Sequence, residues 1–469
     1  GAASLSVGSG SQVDTNTMDV GQSVQGTLTV GGTANVTGAL TLGGTGGTGD
    51  ATVTGQLNTG SLVVGNAGTG SLLVENGGTV DNGLAIMANA SGTNAVATVR
   101  GSGSTWDNSN DLKVGNGGTA TLHIQTGGRV TNRDAIVGGQ GSAPGTGTVN
   151  VSGSSTTWAS SRDVIIGDNG AGTVNISGGT ATVAGDTSVR GSGTLNLTGG
   201  LLWTQDFTLQ NGSTFYHNAG TLRVDGGTYT PLANQDVVIS GSNPFVHLTN
   251  GADLDTGTKD LIVATGTKKR GTLTVDNGST VASRIGTIGT SGGGGTVTVT
   301  GSGSRWDLSS TLAVGNSGNG TLNVDDSAVV RNSLGVIGSA SGAVGAVTVD
   351  GGAWQNTGSL YVGNQGSGNL TVRNGGSVTS STSFIGAAGS GAGVASVTGS
   401  GSTWVMNKAN LNIGHDGTGS LAILSGGEVS NAKGYIGGNS GGDGTVTVSG
   451  ISGGTWHNNG LLTVGGGGT

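Results

Sequence analysis

Residues 399–429 read GSGSTWVMNKANLNIGHDGTGSLAILSGGEV, and they contain one unit of a pattern that recurs along the chain. A Gly-Ser-Gly-Ser-x-Trp motif ends at Trp404, and an apolar-x-apolar-Gly step follows at 411–414. A second alternating step at 421–423 precedes Gly-Gly-x-Val, which ends at Val429. Alternation of apolar and polar residues has the period of a β-strand, and Gly supplies tight turns. This stretch therefore predicts short strands separated by Gly-rich corners.

The Trp residues reveal how often this unit recurs. Successive Trp residues lie about 50 residues apart, except for one gap of about twice that length. Leu254 stands near the place where the missing Trp is expected. A unit of about 50 residues with turn signals about every 8 residues leaves no room for crossover helices. Each unit is therefore interpreted as two turns of about 25 residues, each with about three short strands.

Stacking such turns in parallel gives the predicted fold. We expect an all-β chain, a right-handed parallel β-helix (solenoid) with about three short strands per rung and roughly 19 rungs. At about 4.8 Å per rung the rod would be on the order of 90 Å long. The 103 Gly residues fit this fold, because its corners require positive φ.

Composition excludes several other classes of protein. The chain has 3 Pro and no Cys, so a collagen helix, disulfides and thiolate metal sites are excluded. Its net charge of −8 argues against a nucleic-acid partner. The only dense basic run, 268–270, is interpreted as a solvated loop. The chain shows no signal peptide and no apolar run long enough to span a membrane.

Four segments are expected from the regularity of the pattern. Residues 1–100 predict N-terminal rungs, and 101–200 predict regular Trp-marked repeats. Residues 201–270 predict divergent, aromatic-rich rungs or a bend. Residues 271–469 predict regular Trp-marked repeats that end within a repeat. Because a solenoid normally needs a polar cap, we expect that the native polypeptide continues or that another subunit covers this end.

The Trp residues are predicted to form a packed column that fixes the register of the rungs. Since Trp recurs in every second rung, the Val of the Gly-Gly-x-Val step should occupy the same place in the rung between. The alternative is a ladder of exposed Trp that binds sugars. The predicted column contains Trp106, Val130, Trp158, Trp306, Trp354, Val378, Trp404, Val429 and Trp456.

The divergent segment is the candidate interaction patch. It concentrates aromatic residues in a chain that is only 3% aromatic. A thicker local core is one interpretation, and a binding patch is the other, because aromatic residues dominate contact energetics. The residues of this candidate patch are Trp203, Phe207, Phe215, Tyr216, Tyr229 and Phe245.

No constellation of catalytic residues is recognised. Gly-x-Gly-x-x-Gly strings belong to repeat corners, and the five His residues lack metal-ligand spacing. A polysaccharide lyase or hydrolase would need carboxylates converging on neighbouring rungs. The closest cluster is Asp253, Asp255 and Asp260, for which turn and solubility roles suffice. We therefore expect no catalytic residue, no metal and no cofactor, and a protein that is not an enzyme.

The whole unit resembles the repeats of a known family. Gly-Ser-Gly-Ser-x-Trp, followed by Leu-x-Val-Gly-Asn-x-Gly-x-Gly-x-Leu-x-Val-x-x-Gly-Gly-x-Val, is similar to repeats in passengers of type V autotransporters of Gram-negative bacteria. The resemblance covers about residues 62–465 and is weakest at 200–270. It implies display at the outer-membrane surface through a C-terminal β-barrel translocator, which this sequence does not contain. It also implies adhesion, autoaggregation and biofilm formation.

The expected function is therefore a cell-surface adhesive rod that attaches cells to one another or to surfaces through repeated polar faces. The expected partners are like molecules on neighbouring cells, end-to-end copies of the chain, or host or matrix glycans. Two alternatives remain at this point. One is a self-assembling extracellular filament or surface-layer protein, and the other is a polysaccharide-active β-helix enzyme.

Overall fold

Residues 1–139 and 144–466 are described by the computed structural model. They form strands joined by turns and bends, with no helix in either range. The chain is an all-β, parallel β-solenoid of about 19 turns, which confirms the predicted fold class. Residues 467–469, where the sequence is expected to stop within a repeat, lie outside the described residues.

The contacts within the chain divide it into two compact units, Gly1–Val224 and Asp225–Thr469. The strands that begin in the first unit, the last of which ends at the first residue of the second, are Ala3–Val7, Gln12–Thr15, Met18–Val20, Gln25–Val30, Thr33–Leu42, Thr48–Val53, Gln56–Val64, Thr69–Val74, Thr79–Met87, Asn94–Arg100, Thr105–Asn108, Leu112–Val114, Thr119–Gln125, Arg129–Asn132, Ala135–Val137, Thr146–Ser152, Thr157–Ser160, Val164–Ile166, Ala171–Ile176, Thr180–Val189, Thr194–Leu209 and Thr214–Asp225.

The second unit is built in the same way. Its strands are Thr228–Thr230, Val237–Ile239, Asn243–Thr249, Asp253–Asp255, Leu261–Thr265, Arg270–Val275, Thr280–Ser283, Gly286–Thr290, Gly294–Thr300, Arg305–Leu308, Thr311–Val314, Asn319–Asp325, Val329–Asn332, Leu334–Ile337, Val344–Asp350, Ala353–Asn356, Leu360–Val362, Ser367–Arg373, Ser377–Ser380, Ser383–Ile385, Ala392–Thr398, Thr403–Met406, Asn410–Ile413, Thr418–Leu424, Glu428–Asn431, Lys433–Ile436, Asp443–Ser449, Thr455–Asn458 and Leu462–Val464.

One regular turn shows how the sequence produces these strands. The turn contains a first strand at Asn319–Asp325, a second at Val329–Asn332 and a third at Leu334–Ile337. Each strand pairs in parallel with the corresponding strand of the next turn. Alternate side chains are buried, so the apolar residues of the repeat face inward and the polar residues face solvent.

The core consists of ladders of like apolar residues. In the first unit one ladder joins consecutive first strands through Cα partners in exact register, from Val30 to Val151. All of its members are fully buried. Each buried Val or Ile contributes about 1.5–3 kcal/mol of apolar burial, and the ladder distributes that contribution evenly along the unit. The ladder contains Val30, Val53, Val74, Val99, Ile124 and Val151.

Gly is required at the corner that follows the third strand. Gly363 has φ of +71°, and a Cβ at this position would overlap the carbonyl O of Ala392 in the next turn. Both the backbone conformation and the close approach of the turns exclude larger residues. The apolar-x-apolar-Gly step of the repeat is therefore a strand followed by its corner.

Candidate functional site

The Trp residues of the second unit lie in one inward column. Val330 pairs with Trp354, Trp354 with Val378, and Val378 with Trp404, each as parallel Cα partners in adjacent turns. Trp354 and Trp404 are fully buried. The column continues through Trp404–Val429–Trp456, where Trp456 is half-buried.

The same column extends back through Trp306 to the position of the absent Trp. Trp306 is buried and pairs with Val281, which pairs with Leu254, and Leu254 pairs with Tyr229. Leu254 thus occupies the place at which the spacing of the Trp residues predicts a Trp. Tyr229, assigned from sequence to the interaction patch, belongs to this buried column instead.

The first unit has an equivalent column. Trp106 pairs with Val130 and Val130 with Trp158, and all three side chains are buried. Beyond Trp158 the column continues through Ala181 to Leu202. In both units the Trp and Val side chains alternate from turn to turn and are packed inside the solenoid.

Each Trp of the column has a polar partner in the preceding turn, which the sequence analysis missed. Six buried or half-buried indole groups donate Nε1–H to an Asn or Ser side chain in the preceding turn. In each case this Asn or Ser stands two residues after the column residue of the preceding turn. The distances lie between 2.6 and 3.1 Å. The pairs are Trp106–Asn82, Trp158–Asn132, Trp306–Ser283, Trp354–Asn332, Trp404–Ser380 and Trp456–Asn431.

The preceding turn also provides space for the indole ring. A Cβ added to Gly335 would overlap Oδ1 of Asn356, and it would lie 2.9 Å from Cζ2 of Trp354 and 2.9 Å from Cδ1 of Leu360. Gly286 contacts Trp306 and Gly434 contacts Trp456 in the same way. The repeat therefore spans two turns, because a large residue in one turn packs against a small residue in the preceding turn.

The aromatic residues of the first unit do not form one surface patch. Phe207 is fully buried and packs edge-to-face on Phe215, with ring centroids 4.9 Å apart. Trp203 and Tyr216 are exposed, at 40% and 52%. Trp203 lies one residue after Leu202, which occupies the buried column, so the period of two directs the indole to solvent. There Cζ of Arg223 lies 5.0 Å from the Trp203 ring centroid.

The remaining members of the predicted patch belong to the second unit. Tyr229 is 5% exposed, and burial raises the pKa of its phenol. Phe245 is half-buried and stacks on His247 with ring centroids 5.8 Å apart. Phe207 and Tyr229 therefore face the core, as the interpretation of a thicker local core expects, whereas Trp203 and Tyr216 face solvent, because alternate residues of a strand point to opposite faces.

A polar groove in the first unit is the main candidate functional site. It has a volume of about 760 Å³. Its floor is formed by outward side chains that each follow a column residue by one position, in consecutive turns. The floor residues are Asn35, Asn58, Asp81, Asp107 and Thr131, and the wall includes Thr37, Thr59, Asn82, Gly83, Asn108 and Ser109.

Hydrogen bonds between turns organise the floor of the groove. Asn58 donates Nδ2–H to Oδ1 of Asn35 at 2.7 Å, and Asn35 donates to Oδ1 of Asp14 at 2.8 Å. Thr131 donates its hydroxyl to Oδ1 of Asp107 at 2.6 Å. Hydrogen bonds thus fix the side chains at the two ends of the row, Asn35–Asn58 and Asp107–Thr131, and the row presents amide, carboxylate and hydroxyl groups at the spacing of the turns.

Asp81 and Asp107 place two carboxylates side by side in this floor. They are Cα partners in adjacent turns. Partial burial, followed by repulsion from Asp107, raises the pKa of Asp81. Asp107 is stabilised by the Thr131 hydroxyl and by Arg129, whose Nη1 lies 3.4 Å away. The groove therefore offers a less solvated carboxyl group beside an ion-paired one.

The acidic cluster that the sequence singled out has local structural roles. Asp255 accepts a hydrogen bond from the backbone N–H of Gly257 at 2.7 Å, and Asp260 forms an ion pair with Arg284 at 2.9 Å. Asp253 accepts a hydrogen bond from the Thr280 hydroxyl. Across the described ranges, no group of three or more His, Asp or Glu residues is arranged to hold a metal ion. Nor do those ranges contain an apolar helix of membrane-spanning length.

Comparison with known proteins gives matches among solved structures. No protein-family model and no curated protein matches the chain. A crystal structure of the TibC-catalysed, hyper-glycosylated TibA fragment 55–350 is similar to this chain, with 15% sequence identity and a TM-score of 0.27. The similarity covers 87% of this chain and 99% of that chain. The assignment of the solenoid fold rests on the strand pairing of the chain itself.

Proposed function

We propose that this chain is an extracellular attachment protein displayed on the bacterial surface, and that it binds copies of itself on neighbouring cells. The observation that carries the proposal is the polar groove of the first unit, whose floor repeats at the spacing of the turns. Its groups donate and accept hydrogen bonds but do not form a deep, enclosed pocket. Such a surface suits a long, repetitive partner better than a small molecule.

Repetition gives this surface its affinity. A single hydrogen bond across an interface contributes only about 0.5–1.5 kcal/mol, because water competes for the same groups. Contacts along the rows of polar residues on two copies form together once the first has formed, and their contributions add through avidity. Attachment between cells that carry many copies is therefore strong although each contact is weak.

The charge of the chain sets a condition on such attachment. The net charge of −8, with Asp81 and Asp107 in the groove, makes two copies repel one another at long range. At about 0.15 M ionic strength the Debye length is about 8 Å, so this repulsion is screened while short hydrogen bonds remain. We expect attachment to strengthen as salt rises from about 0.01 M to 0.15 M.

Cells that display the chain provide the test. Replacing Asn35, Asn58 and Thr131 together by Ala should reduce clumping several-fold, because the hydrogen-bonding row is lost. The matched control replaces Thr348, Ser396 and Thr447 by Ala, which removes outward polar groups from the second unit. Equal clumping by the groove variant and the control at every salt concentration would overturn the proposal.

A polysaccharide-active enzyme is the second candidate, and one observation favours it. Two neighbouring carboxylates with different environments, Asp81 and Asp107, line the same open groove. Glycoside hydrolysis uses two carboxyl groups, and the one that acts as the acid has a raised pKa, as Asp81 has. Release of reducing ends from a panel of bacterial and plant polysaccharides, abolished by Asp107→Asn, would support this candidate. Clumping that persists in Asp107→Asn without any released sugar would favour attachment.

A further inference from the structure

One corner of the second unit carries three consecutive cationic residues, Lys268, Lys269 and Arg270. They line a shallow depression of about 420 Å³. All three side chains are exposed. The other residues around the depression come from the next two turns and are Gly292, Gly294, Gly295, Thr296, Asn319 and Thr321. The sequence interpretation of this run as a solvated loop does not account for this depression.

The charge of this corner is not neutralised by the protein. Nine of the other arginines form ion pairs with Asp or Glu, as Arg284 does with Asp260 and Arg373 with Asp350. Within the described part of the chain, no ion pair is formed by Lys268, Lys269 or Arg270. In a protein with more acidic than basic residues, an uncompensated triplet of cations is a local exception.

The backbone places these charges over an open floor. Arg270 pairs with Gly294 in the next turn, and Gly294 is exposed, with no atom within 4 Å of an added Cβ. Lys268 adopts φ of +62°, a conformation that Gly and Asn adopt more readily than Lys. The conformation of the turn therefore does not explain why Lys stands at this corner. Its side chain adds a positive charge at the rim of the depression.

We propose that this corner binds an acidic polysaccharide through its sulfate or carboxylate groups. The guanidinium of Arg270 is suited to bidentate contact with such oxyanions, and the two Lys ammonium groups add point charges beside it. Thr296, Thr321 and Asn319 present hydroxyl and amide groups to the sugar hydroxyls. The site uses none of the residues of the groove in the first unit, and it does not depend on attachment between copies.

The composition of the corner favours a glycan over a nucleic acid. Proteins that bind single-stranded nucleic acids combine basic residues with aromatic side chains on which bases stack. No aromatic residue is among the described residues that line this depression. Three cations form a much smaller basic surface than the stripes that bind duplex DNA.

Binding of fluorescent dextran sulfate to the purified chain tests the proposal. The triple variant Lys268→Gln, Lys269→Gln, Arg270→Gln should weaken binding at least tenfold at low salt. The matched control, Lys113→Gln, Lys408→Gln, Lys433→Gln, removes the same number of charges elsewhere and should bind nearly as well as the unaltered chain. Equal weakening by the two triple variants would mean that only net charge matters, and would overturn the proposal.

A blocking variant tests the location of the site without removing a cation. Gly294→Glu places a carboxylate in the open space beside Arg270, and it should abolish binding. Gly389→Glu is its control, because a Cβ there meets only the carbonyl O of Asp416, at 3.8 Å. Unchanged binding by Gly294→Glu would contradict the proposed site, and so would absence of binding by the unaltered chain.

Polymers of other classes complete the experiment. Polygalacturonate, which carries only carboxylates, should compete with dextran sulfate, whereas neutral dextran should not. Competition by duplex DNA or by anionic phosphatidylglycerol vesicles as strong as that by the sulfated glycan would overturn the assignment to an acidic polysaccharide.

Discussion

Trp354 donates its indole Nε1–H to Oδ1 of Asn332 in the preceding turn at 2.7 Å, and both side chains are buried. Asn332 in turn donates Nδ2–H to Oδ1 of Asn356, which follows Trp354 by two residues, at 2.6 Å. Burying a polar group without a hydrogen-bond partner costs folding free energy. These bonds therefore determine which polar side chains can be buried in the core. They make the large Trp compatible with a narrow solenoid and lock its register.

Asn332→Ala should destabilise the surrounding turns by about 1–3 kcal/mol, because the Trp354 Nε1–H loses its acceptor inside the core. Hydrogen exchange of the strand amides between 344 and 362 measures this effect locally. Asn369→Ala is the control, since Asn369 is exposed, and a change within about 0.5 kcal/mol is expected. Equal effects of the two substitutions would show that the indole bond contributes nothing to stability.

Gly335→Ala should destabilise the same turns by about 1–3 kcal/mol through overpacking. The added Cβ would overlap Oδ1 of Asn356 and would lie 2.9 Å from Cζ2 of Trp354. Combining it with Asn356→Ala should cost less than the sum of the two single changes, because the amide nearest to the added Cβ is then absent. Gly294→Ala, in open space, should be neutral in urea denaturation. Full additivity of the pair would contradict the packing described.

His217 should make the first unit sensitive to acid. Burial lowers its pKa to about 4 from the usual 6.5, although its Nε2–H donates to the carbonyl O of Gly220. Its neutral form favours folding above pH 6.5, and that stability is lost as pH falls from 6.5 through 4. The loss should reach about 2 kcal/mol by pH 5. Denaturation at pH 7 and pH 5 should show this loss in the unaltered chain but not in His217→Gln; identical losses would exclude His217 as the cause.

Asp81 and Asp14 should respond to pH with opposite signs. Burial and Asp107 raise the pKa of Asp81, so its contribution to stability is lost as pH rises through the folded-state pKa. Asp81→Asn should stabilise the unit at pH 7 by less than about 1 kcal/mol, and not at pH 3.

Hydrogen bonds from Asn35 and Gln12 lower the pKa of Asp14, so its contribution is present at neutral pH and lost in acid. Asp14→Asn should therefore destabilise at pH 7 and have little effect at pH 2. Thermal melting at these pH values measures both changes. The same sign of effect for Asp81→Asn and Asp14→Asn at pH 7 would contradict the electrostatic account of the groove.

The sequence was sufficient to predict the repeating core of the solenoid. The alternation of Val429 with Trp404 and Trp456 along one column follows from a period of two within strands and a repeat of two turns. Leu254 could be placed in the same column because it stands at the expected spacing. Parallel stacking then follows, because neighbouring turns present like residues at like positions.

The sequence pattern did not resolve which of two adjacent residues of a strand faces the core. Trp203 fits the spacing of the Trp residues to within a few positions, but a shift of one residue puts Leu202 in the core and Trp203 outside. Counting outward from Trp158 through Ala181 would have shown this. The Asn or Ser two residues after each column residue was also a detectable signal, visible as Val-x-Asn at 130–132 and 330–332.

The candidate groove was not predicted, for a physical reason. Alternation identifies Asn58 and Asp81 as outward-facing, but many other residues of the chain face outward as well. The groove also depends on where residues such as Gly83, within the strand Thr79–Met87, lie relative to the neighbouring turns. Short-range patterns contain little information about such shapes.

The measurement that tests attachment through the groove most directly is cross-linking between cells. The chain has no Cys, so Thr131→Cys places a single thiol in the groove, and Thr379→Cys places one on the outward face of a second-unit strand. Clumped cells displaying either variant are treated with a short bismaleimide. We expect covalent dimers between cells with Thr131→Cys and few with Thr379→Cys. Equal yields from both variants, or clumping without any dimers through Thr131→Cys, would contradict the account.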